Sequence, residues 1–502
     1  MLFNSLDFLI FFPVVTALYF AIPKGFHTLR TVWLLLASYY FYMCWNPTYA
    51  LLILLSTVIT YLSGLLIRRS DRLADPGRRQ GWKRLWVGLS FGSNLLILCL
   101  FKYLTFFLEN LARVLGWAGV SFQVPVVDLL LPVGISFYTF QALGYTMDVY
   151  RGDIEAEPNF LRYALFVSFF PQLVAGPIER SGSLLRQLRE ERSFDFLWAR
   201  AGFLRMLWGF FQKMVVADRL AMLVNTVYNA PGEQSGAAVA LATVFFCFQI
   251  YCDFGGYSNI AIGAAQVLGV RLMENFRQPF LALSIRDFWR RWHISLSTWF
   301  RDYLYVPLGG SRKGEGRAIL NNMIVFLVSG LWHGAGWHFI LWGGLHGLYQ
   351  GVGRLTAGAR AAVRKKLWIR EKGPIHALAA WAVTFSLVAF AFLLFRANSM
   401  TDARTLIRAL FFDFRPEALA GEGLFALGLD RPDFTVALVS LAVLILADLL
   451  RERWPDVEER MEGLALPLRW TIYLLLIFSV LIFGIYGPGY DAASFIYFAF
   501  RR

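Results

Sequence analysis

Hydrophobic positions in this chain come in long runs separated by short polar stretches. Seven runs are clear: Phe8 to Ile22, Tyr49 to Ile67, Leu85 to Phe107, Ala237 to Cys252, Leu378 to Phe395, Phe434 to Leu450 and Thr471 to Ile485. Each is near the roughly 20 residues that a helix needs to cross a bilayer. Shorter or broken runs lie between them. The pattern predicts an all-α, polytopic integral membrane protein of roughly 11 to 13 segments, some broken or re-entrant.

The runs differ along the chain, although 1–502 reads as a single polytopic domain. Residues 1–125 hold conventional spans with few internal polar groups. In 126–350 the apolar runs are interrupted by Pro, Gly, Gln, Asp and Arg. Irregular backbone at membrane depth survives only where protein or water satisfies it, so this stretch is the expected functional core. Residues 351–502 return to spaced apolar helices around a polar-to-mixed segment, Arg396 to Asp433, which is long for a connection and therefore a candidate functional element. No internal repeat is visible.

Composition agrees with this class. The chain is 57% hydrophobic and only 16% charged, where soluble domains carry about 25% charged residues. The net charge of +14 would suit nucleic acid, but its distribution excludes that partner. The basic residues cluster in short loops beside apolar spans, the positive-inside pattern. Arg68 to Arg84 and Arg354 to Lys372 each carry seven basic residues, and both are expected in the cytoplasm against anionic lipid headgroups. That places Arg396 to Asp433 outside. No Lys or Arg precedes the first run, which argues against a cleaved signal peptide and for an extracytoplasmic N-terminus. Cys44, Cys99, Cys247 and Cys252 show no zinc or redox spacing and read as small buried hydrophobes.

The candidate chemistry sits in a few stretches. Leu331 to Gly347, LWHGAGWHFILWGGLHG, puts three of the six histidines, five glycines and three tryptophans in otherwise membrane-grade sequence. Polar groups at membrane depth normally face a protein interior or wet cavity and mark function. His333, bracketed by Gly330 and Gly334-Ala335-Gly336, falls where a helix should break, freeing backbone N–H groups as oxyanion donors. Trp332 and Gly334 flank it; His338 and His346 follow. Phe288 to Gly310 reads as a helix to about Tyr305, with Trp289, Trp292, Leu296 and Trp299 on one side, an interfacial amphipathic pattern. His293 interrupts it, and Arg290, Arg291 and Arg301 are interspersed. Gln141, Asp148, Gln172, Asp253, Tyr257, Ser258, Asn275, Arg277 and Gln278 are polar residues in apolar surroundings, mostly explained by helix-to-helix hydrogen bonds. Asp253 stands out because an ionised carboxylate needs a partner. Glu179 to Arg200 reads as a solvated, charged connector. His333 and His338 are five residues apart, with no carboxylate between Glu315 and Glu371, so no metal site is expected.

The motifs RWHISLSTWFRDYLYVPLGG, WHG at Trp332 to Gly334, YCDFGGYSNIAIG, FFPQLVAGPIER and QALGYTMDVYRG together resemble the membrane-bound O-acyltransferases (MBOAT). The likeness is closest to their bacterial branch of alginate O-acetyltransferases and teichoic-acid D-alanyltransferases. It covers most of the chain and is densest over about 130–350. It implies helices around a central tunnel. It also implies transfer of an acyl group from a cytoplasmic thioester, such as acetyl-CoA, to a hydroxyl acceptor, with no permanently bound cofactor. The family's essential histidine falls on His333 and its second polar position on His293. His333 would then be the general base, and His293 would orient or polarise the donor carbonyl. Arg290, Arg291 and Arg301 would meet donor phosphates; Trp332, Gly334, Asp253 and His346 complete the expected substrate contacts. The resemblance further implies an extracytoplasmic SGNH-type partner, a polysaccharide synthesis and export complex, and the bacterial inner membrane. A transporter or flippase, or a non-catalytic scaffold of an export complex, are the competing classes; the first predicts repeats and the second predicts indifference to loss of His333.

Overall fold

In the computed structural model, which describes residues 1–125, 131–174, 176–366 and 373–487, every long apolar run lies on a helix and no strand occurs among the described residues. Six helices there are long and apolar enough to cross a membrane: Tyr49–Ser70, Pro76–Trp117, Gly236–Val267, Pro374–Arg396, Arg431–Arg453 and Leu466–Phe483. Leu6–Ala21 is a shorter apolar helix. The sequence led to an expectation of roughly 11 to 13 segments; the other described helices, among them His27–Met43, Ile135–Arg151, Glu315–His333 and Trp337–Leu355, are shorter or more polar than those six. The basic loop Arg354 to Lys372 is helical over Ala357–Lys366; its residues 367–372 lie outside the described residues. Cys247 and Cys252 are buried as expected, but Cys44 and Cys99 are exposed on the protein surface.

The chain forms two compact units. The first holds residues 1–206 and 257–273. Lipid is as apolar as a leucine side chain, so helices pack here through small and hydroxyl-bearing residues. Ser56, Thr57, Thr60, Ser63 and Gly64 form a buried stripe on Tyr49–Ser70. Tyr163 donates its hydroxyl to Thr60 at 2.7 Å, and a Cβ on Gly64 would lie 2.7 Å from the Tyr145 hydroxyl. The ring fits because that position has no side chain.

The connector from Glu179 to Arg200 is not simply solvated. Ser181–Arg189 is an amphipathic helix that buries Leu184, Leu185 and Leu188, a spacing that puts all three on one face. Glu179 itself is only 3% exposed and accepts the Met273 N–H at 2.6 Å. Burial pushes its carboxyl up to about 7, against the opposing pull of that N–H and of Arg180. An unfolded glutamate ionises first as pH rises, from near 4.5. The native state therefore holds the extra proton between there and about 7, and stability falls across that window. Glu179→Gln should thus raise the melting temperature in detergent more at pH 8 than at pH 5. Equal gains at both pH values would clear the carboxyl of this role.

The second unit holds residues 207–256 and 274–487 among those described. Its centre is an antiparallel hairpin of Glu315–His333 and Trp337–Leu355. Gly330 and Gly343 let the two backbones touch: a Cβ on Gly343 would lie 2.1 Å from the Phe326 carbonyl oxygen, and one on Gly330 would lie 2.3 Å from that of Phe339. Beside the hairpin run Pro374–Arg396 and a broken segment over 274–305.

Candidate active site

The helix expected from Phe288 to about Tyr305 is interrupted at the histidine. Ile285–Arg291 ends, Trp292 is extended, and His293 takes a left-handed conformation at φ 43° before Ile294–Phe300 begins. A π-helical turn over Arg301–Tyr305 follows. A left-handed, non-glycine residue costs about 1–3 kcal/mol and persists only where its surroundings enforce it. Here the enforcing element is the ENFRQPF stretch. Arg277 N–H donates to the Arg291 carbonyl and Ile294 N–H to the Asn275 carbonyl, both at 2.9 Å, so the two segments are stapled on either side of the break. The tryptophans that suggested an interfacial helix are instead packed inside: Trp292 is 3% and Trp299 7% exposed.

The same asparagine fixes the His293 ring. Asn275 Oδ1 lies 2.9 Å from the Ser295 hydroxyl and 3.4 Å from the Ser295 N–H. A backbone N–H can only donate, so that atom is the acceptor. His293 Nδ1, 3.1 Å from the same oxygen, must then carry the proton and donate it. The neutral ring therefore holds its lone pair on Nε2. In that state it can accept a hydrogen bond or a proton; polarising a carbonyl would require protonation first.

Glu315–His333 ends where the sequence predicted, with Gly334 extended after it. Gly334 cannot be larger, because a Cβ would strike the Phe339 ring at 2.1 Å. Its N–H, however, is committed to the Gly330 carbonyl at 3.4 Å, so it is not the oxyanion donor that a broken helix suggested. His333 is enclosed by aromatic rings: centroids of Trp332, Trp342 and Phe395 lie 4.8, 5.1 and 5.2 Å away. The His293 ring is 6.4 Å away, and Trp332 lies 5.9 Å from it. Two histidines forty residues apart in sequence thus share one buried compartment, with 0% and 5% exposure.

A cavity of about 1470 Å³ opens beside this compartment. Its inner wall includes Trp289, Leu296, Ser297, Phe326 and Ser329, and its rim carries Arg286, Arg290, Arg301, Arg354, Arg360 and Arg364. Neither histidine lines it. Ser329 precedes His333 by one helical turn, and Ser297 follows His293 by the same interval, so the lining includes a residue one turn from each histidine along the chain. The tunnel expected to reach the histidines is not seen in the lining of this cavity, which includes neither ring.

The remaining sequence candidates divide. Arg290 and Arg301 lie on the cavity wall. Arg291 does not: it is clamped by Glu452 at 2.7 and 3.0 Å and by Asp287 at 3.1 Å, which makes it a helix-to-helix tie rather than a phosphate ligand. Asp253 also has a structural partner in place of a substrate, the Lys213 ammonium at 2.6 Å, which reaches Asp218 at 2.7 Å as well. His346 is fully buried between the cavity wall and His333: its Nδ1 accepts the Trp289 indole N–H at 3.2 Å, and its ring lies 5.1 Å from Trp342. His338 sits beyond the compartment against Phe339. The orienting role of Asn275 and the tie made by Lys213 were not visible in the sequence. Nothing in local spacing brings residue 275 to 293 or 213 to 253.

Comparison with known proteins then bears on this geometry. A family model described as MBOAT, the membrane-bound O-acyltransferase family, matches residues 153–395. A probable alginate O-acetylase of Pseudomonas putida is 34% identical over 100% of both chains. Another from Pseudomonas aeruginosa is 38% identical over 82% of this chain and 75% of its own. A peptidoglycan O-acetyltransferase of Helicobacter pylori is 35% identical over 76% of this chain and 73% of its own.

Proposed function

The chain belongs to the membrane-bound O-acyltransferase family and is a multi-pass membrane O-acyltransferase, and from that premise we propose that it carries acetyl groups across the bacterial inner membrane for O-acetylation of an exported polysaccharide. The donor is acetyl-CoA or another acyl thioester on the cytoplasmic side. The acceptor hydroxyl arrives from the opposite face, and an extracytoplasmic SGNH-type partner within an export complex completes delivery. The relatives' names, which concern alginate and peptidoglycan, support acetyl transfer to a cell-surface glycan. The N-terminus lies outside.

One observation carries this reading: two buried imidazoles whose ring centroids lie 6.4 Å apart, beside an arginine-lined cavity whose wall includes residues one helical turn from each along the chain. The basic rim supports a cytoplasmic mouth by the positive-inside rule, and guanidinium groups suit the donor's phosphates. The apolar depth suits a pantetheine-type arm. His333 takes the proton as the acceptor hydroxyl adds to the thioester carbonyl. The C–S bond then breaks and the departing thiolate receives that proton. His293, held by Asn275, offers Nε2 to orient the hydroxyl. A compartment walled by tryptophan and phenylalanine keeps out the water that would otherwise hydrolyse the thioester.

The reading is tested in proteoliposomes by following acetyl transfer from a radiolabelled thioester. Arg290→Ala combined with Arg301→Ala is expected to raise the donor KM about tenfold, as loss of charge-assisted bonds would, with a smaller effect on kcat. An unchanged donor KM would remove the cavity from the donor's path.

A further inference from the structure

Acyl transfer builds negative charge on the carbonyl oxygen, and N–H donors already aimed at that charge are usually the largest single contribution to catalysis. Neither group expected to supply one does so. The Gly334 N–H is committed to Gly330, and His293 holds a lone pair on Nε2 rather than a proton. His346 has the missing chemistry. An indole N–H can only donate, so His346 Nδ1, 3.2 Å from Trp289 Nε1, is the acceptor and carries no proton. The hydrogen of this neutral ring is therefore on Nε2. That atom is buried and has no hydrogen-bond partner among the described residues, whereas buried polar groups are nearly always paired. An unpartnered donor is not by itself a site; its surroundings make this one a candidate. Three rings around His346, those of Trp289, Phe326 and Tyr349 at 5.1, 6.0 and 5.9 Å, belong to residues that line the cavity. A fourth, Trp342 at 5.1 Å, packs 5.1 Å from His333. His346 and Trp342 thus form a layer between the cavity wall and the base, and an acetyl group passing from the cavity to His333 has to enter it. The two nitrogens of an imidazole face nearly opposite ways. With Nδ1 turned to Trp289, the Nε2–H is turned away from that wall residue.

We propose that the His346 Nε2–H is the oxyanion donor of this site, binding the carbonyl oxygen of the thioester, and that Trp289 is the positioning residue that fixes the tautomer. The proposal rests on the function proposed above. As the acceptor hydroxyl oxygen bonds to the carbonyl carbon, its proton goes to His333 and the π pair of the carbonyl moves onto oxygen, where the Nε2–H meets it. The pair returns as the C–S bond breaks, and the departing thiolate takes the proton from His333. His346 neither gains nor loses a proton in the cycle, a role that suits a neutral ring with one nitrogen already occupied by an indole.

The test reads the carbonyl directly. S-acetonyl-coenzyme A, a ketone analogue of acetyl-CoA that cannot transfer its acyl group, is isotope-labelled at the carbonyl and added to the full chain in detergent. Infrared difference spectra report a hydrogen bond to that oxygen as a fall in its stretching frequency. The fall is expected in the wild type and in His346→Gln, whose amide N–H stands near the place of Nε2. It should be absent in His346→Phe, which has no donor, and in His346→Asn, whose amide reaches only the place of Nδ1. In turnover assays, His346→Phe and His346→Asn should each lose on the order of 10²–10³ in kcat with little change in donor KM, and His346→Gln should recover most of that loss. Trp289→Phe, which releases the tautomer, should give two carbonyl bands, one lowered and one not; a single lowered band would clear Trp289 of the positioning role. Thermal unfolding shows whether each variant is folded. A bound analogue with an unshifted carbonyl in the wild type, or a shift that survives His346→Phe, overturns the oxyanion donor and leaves the donor site standing. An analogue that does not bind at all overturns the donor site as well.

Discussion

Replacing His333 with alanine or glutamine is expected to abolish acyl transfer, by a factor of about 10³ or more, in a protein that still folds. General-base catalysis is worth roughly 10²–10⁴, and the wall of Trp332, Trp342 and Phe395 admits no solvent base to stand in. His333→Gln is the sharper variant, because it keeps much of the side-chain volume among those rings and a hydrogen-bonding end, yet cannot take up a proton. Turnover of thioester into acetylated acceptor is the measurement, with thermal unfolding in detergent as the control on folding. Normal turnover in either variant would end the general-base role. His293→Ala should lose rate to a similar order. Because the two rings share one compartment, the double variant should be little slower than either single one, as for residues that act as a unit. Losses that multiply would mean that they serve separate steps.

The sequence made much of this site legible, for a physical reason. Imidazoles, arginines and glycines are costly or pointless in a lipid-facing helix, so their presence in apolar runs marks interior surface. That logic identified His333 and His293 and the turn at Gly334. It also identified the all-α class, since runs of that length have few other uses. It failed wherever a charge found a protein partner far away in sequence. Arg291 was expected to meet donor phosphates, Glu179 to be solvated, and Asp253 to need a partner the sequence did not identify; each is tied to a residue that only the fold brings near: Glu452, Met273 and Lys213. It failed again at His293, where helical spacing of the tryptophans suggested a continuous helix. The break there is enforced by Asn275 and Arg277 alongside, and period alone carries no trace of such a staple. Asn275 itself was noticed only as one more polar residue in an apolar setting.

The second large effect concerns Lys213, and it separates a structural from a substrate-binding role for Asp253. Lys213 lies in a π-helical turn, Phe211–Ala217, whose extra residue per turn re-aims side chains that a regular helix would direct elsewhere. Its ammonium, 1% exposed, bridges Asp218 and Asp253, themselves nearly as buried. Removing one member of a buried ion group leaves the other charges inside a low-dielectric interior, which costs about 3–5 kcal/mol. Lys213→Met is therefore expected to lower the folded yield and the melting temperature sharply. The triple change Lys213→Met, Asp218→Asn, Asp253→Asn should recover much of the loss, because replacing a buried ion group as a whole is far less costly than breaking it. The residue after Asp253 is Phe254, whose ring packs 4.7 Å from His293, so partial unfolding here should also loosen the wall of the catalytic compartment and lower kcat. A substrate-binding Asp253 makes the opposite forecast. Asp253→Asn alone would raise the KM of a substrate at unchanged stability, and Lys213→Met would melt like the wild type. Thermal unfolding beside steady-state kinetics on these variants decides between the two. A Lys213→Met protein as stable as its parent would show that the ion group does not hold this part of the fold together.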